Sequence, residues 1–269
     1  MMIQQKIDIK KGIYILPSLI TIGNIAFGFR SMIFSINGAL SSAAWCIIIA
    51  IAFDVLDGRV ARWTNTTSSF GIELDSLSDI VSFGIAPSIL MYQMGLSTLG
   101  KPGFIIALFF VIAGALRLAK FNLKAHEGSV TGDFSGLPIP AAAGMLASFT
   151  LSYELFEMGP MITVKTIPLL MARMPFFFKS IPVAMILISL LMLSNIPYRG
   201  KGSTVNKPHS LQILLLVIVT LLLMVAYPQN MIFLVFFTYL LSGVCLHALR
   251  YLRLRRFLAR AAQRTHEQE

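Results

Sequence analysis

The chain has 269 residues, of which 56% are hydrophobic and only 13% charged, a balance too apolar for a domain that must cover itself with a polar surface in water. Its formal net charge of +10 does not point to nucleic acid, because no stacking or groove-reading module accompanies the cations; such charge suits membrane orientation and anionic headgroups. The two cysteines, Cys46 and Cys245, both fall in apolar runs as packing residues, which excludes a disulfide framework and a cysteine metal site.

Apolar runs of about 18 or more residues, enough to cross roughly 30 Å of hydrocarbon, recur along the chain. They predict an all-α, polytopic integral membrane protein with eight transmembrane helices, at 13–37, 41–61, 71–95, 103–122, 138–157, 178–196, 210–227 and 231–249. The lysine-rich stretch before the first run has no small-residue cleavage site after it, and the run is long enough to remain as a span. Between Glu157 and Lys179, Pro160, Pro168 and Pro175 interrupt the apolar pattern, as in a loop or a re-entrant or interfacial segment. No repeat or soluble module breaks the chain, so 1–269 reads as one membrane domain, with two further helices at about 210–250 and a basic tail at 250–269.

Lysine and arginine are retained on the cytoplasmic side of a membrane. With both termini inside, Lys101, Lys165, Arg173 and Lys179 fall outside, Arg30 lies within the first span, and every other cation faces the cytoplasm. The expected location is the cytoplasmic membrane, with an even number of spans.

Five of the twelve acidic residues, Asp54, Asp57, Glu73, Asp75 and Asp79, lie between positions 54 and 79. Ionisable groups in or near a bilayer are expensive and mark function by default. Positions 54, 57, 58 and 61 share one face at the end of the second span, and Asp75 and Asp79 share a face of the third, an i, i+4 step apart. A short polar linker makes the two helices antiparallel neighbours, so Asp57 and Asp75 arrive at similar depth. Four converging carboxylates repel one another unless a cation intervenes, and hard divalent ions with oxygen ligands are the usual solution. Two such ions can clamp the attacking and leaving oxygens of a phosphoryl displacement. Gly58, Ala61 and Gly71 lack bulk where a pyrophosphate would approach, and Arg62 supplies a planar donor fork. Glu73 falls off the Asp75/Asp79 face, as a solvated carboxylate at a helix start.

Asp54, Asp57, Gly58, Ala61, Arg62, Gly71, Asp75 and Asp79 occupy every fixed position of D-x2-D-G-x2-A-R-x8-G-x3-D-x3-D, and the segment thereby resembles the CDP-alcohol phosphatidyltransferases. The resemblance implies that Asp54, Asp57 and Asp75 hold the metals, magnesium or manganese and two in number. It implies that Asp79 contacts the second ion and is general base on the acceptor hydroxyl, and that Gly58, Ala61 and Arg62 border the CDP moiety. Further on, Arg117-Leu118-Ala119-Lys120-Phe121-Asn122 followed by Gly136-Leu137-Pro138-Ile139-Pro140-Ala141-Ala142 is similar to the phosphatidylserine synthase branch, as are Leu16-Pro17-Ser18, Thr21 and Asn24. Lys120 stands where that branch has Arg, which removes a bidentate fork from this position. The resemblance covers about 13–200.

The reading that follows is transfer of a phosphatidyl group from CDP-diacylglycerol to L-serine, with glycerol 3-phosphate or an inositol compound as alternative acceptors and an ion-coupled transporter as the remote rival. A transporter predicts inverted repeats and broken helices in matching positions, and neither is visible. Thr21 and Asn24 either touch the cytidine or pair helices. Arg117 and Lys120, at i, i+3, together with Asn122, either receive the acceptor or snorkel to headgroups. The glycines of the 125–137 loop suit either a gating segment or an ordinary linker. A homodimer is what the family resemblance implies.

Overall fold

The computed structural model describes residues 9–64, 69–126, 133–157, 176–194, 196–199, 227–245 and 247. Among these, α1 (Ile9–Ile36) and α2 (Leu40–Trp63) form an antiparallel hairpin closed by Asn37, Gly38 and Ala39. Gly38 has φ 77°, a left-handed conformation open to glycine, and the Ala39 amide donates to the Phe34 carbonyl at 2.9 Å, which satisfies an end-of-helix acceptor. Small residues on α2, with Ala43, Ala44 and Ala50 at zero exposure, let α1 and α6 approach its backbone.

The next expected span, 71–95, is a composite. Helix α3 (Ser69–Asp79) runs into a π-helical turn, Ile80–Ile85, and then into α4 (Ala86–Met94). The turn begins directly after Asp79 and ends just before Pro87, which has no N–H with which to continue an α-helical ladder. Wide turns of this kind recur at functional sites. A 3₁₀ turn, Leu96–Leu99, leads to α5 (Lys101–His126).

Helices α6 (Ile139–Glu157) and α7 (Phe176–Leu193) follow, and α8 (Pro228–Cys245) is the last described helix. A small antiparallel ribbon joins β1 (Asp133–Ser135) to β2 (Pro197–Arg199), with Phe134 opposite Tyr198. The Gly136 and Leu137 amides then donate to the carbonyls of Ile196 and Leu191, at 2.9 and 3.1 Å. Gly136 has φ 87°, and a Cβ there would run into the Met192 carbonyl. The glycine of the G-L-P element therefore anchors the start of α6 to the end of α7, so this end of the loop is fastened. The 127–132 part of that loop, the expected span 210–227 up to residue 226 and the proline-rich stretch at 158–175 lie outside the described residues.

Among the described residues five helices are long and apolar enough to cross a membrane, and two shorter apolar helices accompany them. Large apolar side chains such as Leu19, Phe29, Phe104 and Leu187 point outward, as the lipid solvent permits. The sequence reading of Cys245 is corrected here: Cys46 is buried as expected, whereas Cys245 is exposed, because it lies on the outward side of α8.

The element that positions the site is the crossing of α1 over the π-turn. Ser82 Oγ donates to the Asn24 carbonyl at 3.0 Å, and Ser78 Oγ to that of Thr21 at 3.4 Å. A Cβ on Gly28 would lie 2.7 Å from Ser82 Cα. Gly28→Val is therefore expected to lower stability by about 1–3 kcal/mol through overpacking at this crossing. Thermal unfolding in detergent checks this, and an unchanged melting temperature would contradict the close approach.

Candidate active site

Asp54 and Asp57 stand one turn apart near the end of α2, and Asp75 projects from the opposite-running α3. One carboxylate oxygen from each lies within 4.8 Å of the others. Asp57 is buried, and Asp54 and Asp75 are half-buried. The antiparallel pairing expected from sequence brings these three together.

Asp79 lies one turn further along α3, 8% exposed, beyond that triad. Its charged neighbours are Asp54, Asp75, Arg117 and Asp57, and the Asp54 and Asp79 carboxyls are within hydrogen-bonding reach. The Oδ1 atoms of Asp75 and Asp79 are buried without a hydrogen-bond donor. An acceptor left so is costly in a medium of low dielectric. Three clustered carboxylates and further unsatisfied oxygens are the donor set of a hard divalent cation, so the residues present fit a metal ion.

Thr21 Oγ1 is placed to donate to Asp57 Oδ2 at 3.0 Å and also lies 3.1 Å from the Pro17 carbonyl. The hydroxyl of α1 thus aims a carboxylate of α2. Asn24, one turn on, has zero exposure, and both its amide nitrogen and its amide oxygen lack partners. It is buried beside the site with its full hydrogen-bonding capacity unspent.

Gly58, Ala61 and Gly71 are half-buried, and Arg62 is exposed. A Cβ on Gly58 would be 3.9 Å from both terminal nitrogens of Arg62, so the guanidinium folds back along α2 toward the glycine. Glu73 is exposed, as its off-face position requires.

The acceptor candidates divide. Arg117 is 8% exposed and lies within electrostatic reach of both Asp79 and the Tyr239 phenol. Its Nε is buried with no hydrogen-bond partner. A buried donor left without an acceptor costs about 1–3 kcal/mol, and more when it is charged. Lys120 is exposed, so the two cations differ in burial. Asn122 Nδ2 donates to Ser76 Oγ at 2.9 Å, which ties α5 to the helix that carries Asp75 and Asp79.

Sequence reasoning missed Ser76, Ser78 and Ser82. A signal existed for Ser78 and Ser82, small hydroxyls at i, i+4 on one helix, the spacing that fastens membrane helices to each other.

Residues 14–193 match the CDP-alcohol phosphatidyltransferase family, and this chain belongs to it. The match runs from the start of α1 through α7 and takes in all four aspartates and Arg117; α8 lies beyond it. The chain is 34% identical over 232 residues to the CDP-diacylglycerol–serine O-phosphatidyltransferase of Helicobacter pylori, covering 86% of this chain and 90% of that one. It is 35% identical over 185 residues to the archaetidylserine synthase of Methanothermobacter thermautotrophicus, covering 68% and 69%. With the CDP-diacylglycerol–serine O-phosphatidyltransferase of Bacillus subtilis it shares 40% identity over 139 residues, covering 52% and 77%.

Thr21→Val keeps shape and removes the hydroxyl. The expected outcome is divalent-cation binding weakened by roughly tenfold, the scale of one hydrogen bond to a charged group. Calorimetric titration of the purified protein with magnesium or manganese measures it, and wild-type affinity would mean that Thr21 does not orient the carboxylate.

Proposed function

We propose that the protein transfers the phosphatidyl group of CDP-diacylglycerol to L-serine, giving phosphatidylserine and CMP. The observation that carries the choice of acceptor is Arg117, a buried cation with an unsatisfied Nε–H close to Asp79. An amino-acid acceptor needs its carboxylate neutralised and its hydroxyl aimed at a base within a short span. A guanidinium offers a carboxylate a planar fork of donors, and Asp79 is the nearby base. The names of the similar proteins point the same way.

In this reading Asp54, Asp57 and Asp75 hold divalent ions, magnesium or manganese and two in number, with Asp79 reaching the second. Such ions, when bound, neutralise the pyrophosphate and the charge that develops on the leaving group. Thr21 keeps the Asp57 carboxylate aimed. Gly58, Ala61 and Gly71 leave room for the pyrophosphate beside the backbone, and Arg62 reaches it from the exposed end of α2. Asn24, with Thr21, supplies hydrogen bonds to the cytidine. Asp79 accepts the proton of the serine hydroxyl as that oxygen attacks the phosphorus bearing the diacylglycerol. The new bond joins serine oxygen to phosphorus, the bond from phosphorus to the CMP oxygen breaks, and CMP leaves. Catalysis rests on positioning and charge neutralisation, as in phosphoryl transfer generally.

Arg117 receives the serine carboxylate, with Lys120 at the mouth and Asn122 bracing α3 through Ser76. The site opens toward the cytoplasm with both termini on that side, because the cations crowd the helix ends on the side of Arg62 and Lys120. The protein functions as a homodimer in the cytoplasmic membrane, its lipid substrate keeping its acyl chains in the bilayer. One membrane domain holds the catalytic helices and α8 together.

Two experiments test this. Asp79→Asn keeps the shape of the side chain but cannot accept the proton, and turnover should fall by at least about 100-fold with CDP-diacylglycerol binding retained; activity within tenfold of wild type would remove the general-base role. In an acceptor panel with CDP-diacylglycerol, serine should be preferred over glycerol 3-phosphate and inositol compounds. Arg117→Ala should then raise KM for serine by at least roughly tenfold and change that for CDP-diacylglycerol far less, since only the acceptor loses a charged partner. Preference for glycerol 3-phosphate would leave the transfer chemistry and overturn the serine assignment.

A further inference from the structure

Helix α1 carries a charge that its neighbours do not answer. Arg30 lies inside the apolar span Pro17–Ile36 and is exposed, in the outward stripe that also holds Ile22, Phe29, Ile33 and Ile36. An ionised group in hydrocarbon is expensive and calls for a counter-charge. The bonds from Ser78 and Ser82 to α1 run in parallel register, so α4 continues beside the part of α1 beyond Asn24. Ser31 Oγ donates to the Ala43 carbonyl at 2.8 Å, which brings the start of α2 alongside as well. Neither neighbour offers a carboxylate, because no Asp or Glu occurs from Gly28 to Phe53 or from Ile80 to His126.

The Arg30 guanidinium lies over the ring of Phe34, 5.1 Å from its centroid, and Phe34 is packed against the core. Helical side chains lean by default toward the N-terminus. The ring, one turn further on, keeps this one from leaning back toward Ala26 at the middle of the span. Arg30 is six residues from Ile36, about 9 Å along the axis, and nine residues past Thr21, about 13–14 Å. A long stem covers most of the first distance and brings its charge to the interface; the second keeps it clear of the aspartates. The counter-charge is therefore an anion that lipid supplies at that interface. A phospholipid phosphate fits, since the planar guanidinium fork matches two phosphate oxygens, and Phe29, Ile33 and Ile36 offer apolar surface to the acyl chains. A second copy of the chain meeting this face across a two-fold axis would bring another Arg30 and no carboxylate.

We propose that Arg30 and Phe34 form a headgroup site on the lipid-facing side of α1, which takes the phosphate of an anionic phospholipid in the leaflet at the far end of α1 from the aspartates. Anionic headgroups are favoured over zwitterionic ones because no ammonium on the same headgroup offsets the phosphate charge. The site stands apart from the choice of acceptor.

The chain has two tryptophans, Trp63, 82% exposed at the aspartate end of α2, and Trp45, near the height of Arg30. Trp63→Phe leaves Trp45 as the reporter, and every measurement uses this full-length background. The protein is reconstituted in mixtures of phosphatidylcholine and brominated phosphatidylglycerol, and quenching of Trp45 gives the binding constant of the anionic lipid relative to the zwitterionic one. Phosphatidylglycerol should bind roughly tenfold more strongly, the scale of a hydrogen bond to a charged group. Arg30→Gln should bring the ratio to unity. Arg30→Lys keeps the charge, loses the fork and should give an intermediate ratio, and Phe34→Leu should lower the ratio by releasing the guanidinium. A ratio near unity without any change at Arg30, a ratio untouched by Arg30→Gln, or displacement of the brominated lipid by inorganic phosphate would overturn the proposal. So would a change of oligomeric mass in detergent on Arg30→Gln, which would make this face a contact between copies of the chain.

Discussion

Everything in this protein turns on holding four carboxylates close together at the edge of a lipid-embedded helix bundle. Carboxylates repel, and taking them out of water is expensive. The fold overcomes both with rigid backbone. Three of the four aspartates arise from two antiparallel helices whose oxygens converge within 4.8 Å, and the fourth sits a turn deeper facing a cation. Hydroxyls of neighbouring helices then lock the arrangement: Thr21 to Asp57, Ser82 to α1 and Asn122 to Ser76. Each of these bonds links two elements, so the site's geometry and the bundle's packing are one problem.

The π-turn after Asp79 shows how local irregularity serves that geometry. It lies where α1 crosses, and Gly28 and Ser82 meet there almost backbone to backbone. A membrane protein gains no hydrophobic driving force between helices, so close packing of small residues and interhelical hydrogen bonds must supply the adhesion. Small residues also stand beside the aspartates, at the half-buried Gly58 and Gly71. Function and packing thus select the same residue types, and for that reason single positions in this chain are ambiguous while the constellation is not.

Arg117 divides the site into two electrostatic regions. On one side are acceptor oxygens with too few donors, and on the other is a guanidinium with a donor to spare. A substrate pair that brings a pyrophosphate, with its cations, to the first region and a carboxylate to the second leaves both regions satisfied. Membership of the CDP-alcohol phosphatidyltransferase family is consistent with that division of labour.

Much of this was legible in the linear sequence. Apolar run lengths located the described helices to within a few residues, with 41–61 expected and Leu40–Trp63 found, and 138–157 expected against Ile139–Glu157. The aspartate spacing anticipated the carboxylate cluster, because helical periodicity and a short linker are local properties that a sequence carries directly. What the tertiary structure decided is everything that depends on which face meets which neighbour. Arg117 and Lys120, three residues apart, look equivalent in sequence, yet one is buried within electrostatic reach of Asp79 and the other exposed. The π-turn was invisible because it answers to α1 as much as to its own residues. Cys245 lies in an apolar run and yet faces outward, because in lipid an apolar residue suits either side of a helix. The docking of α8 on α6, where Phe233 meets Phe149 and Phe236 sits against Gly144, is a contact between distant segments that no spacing rule encodes.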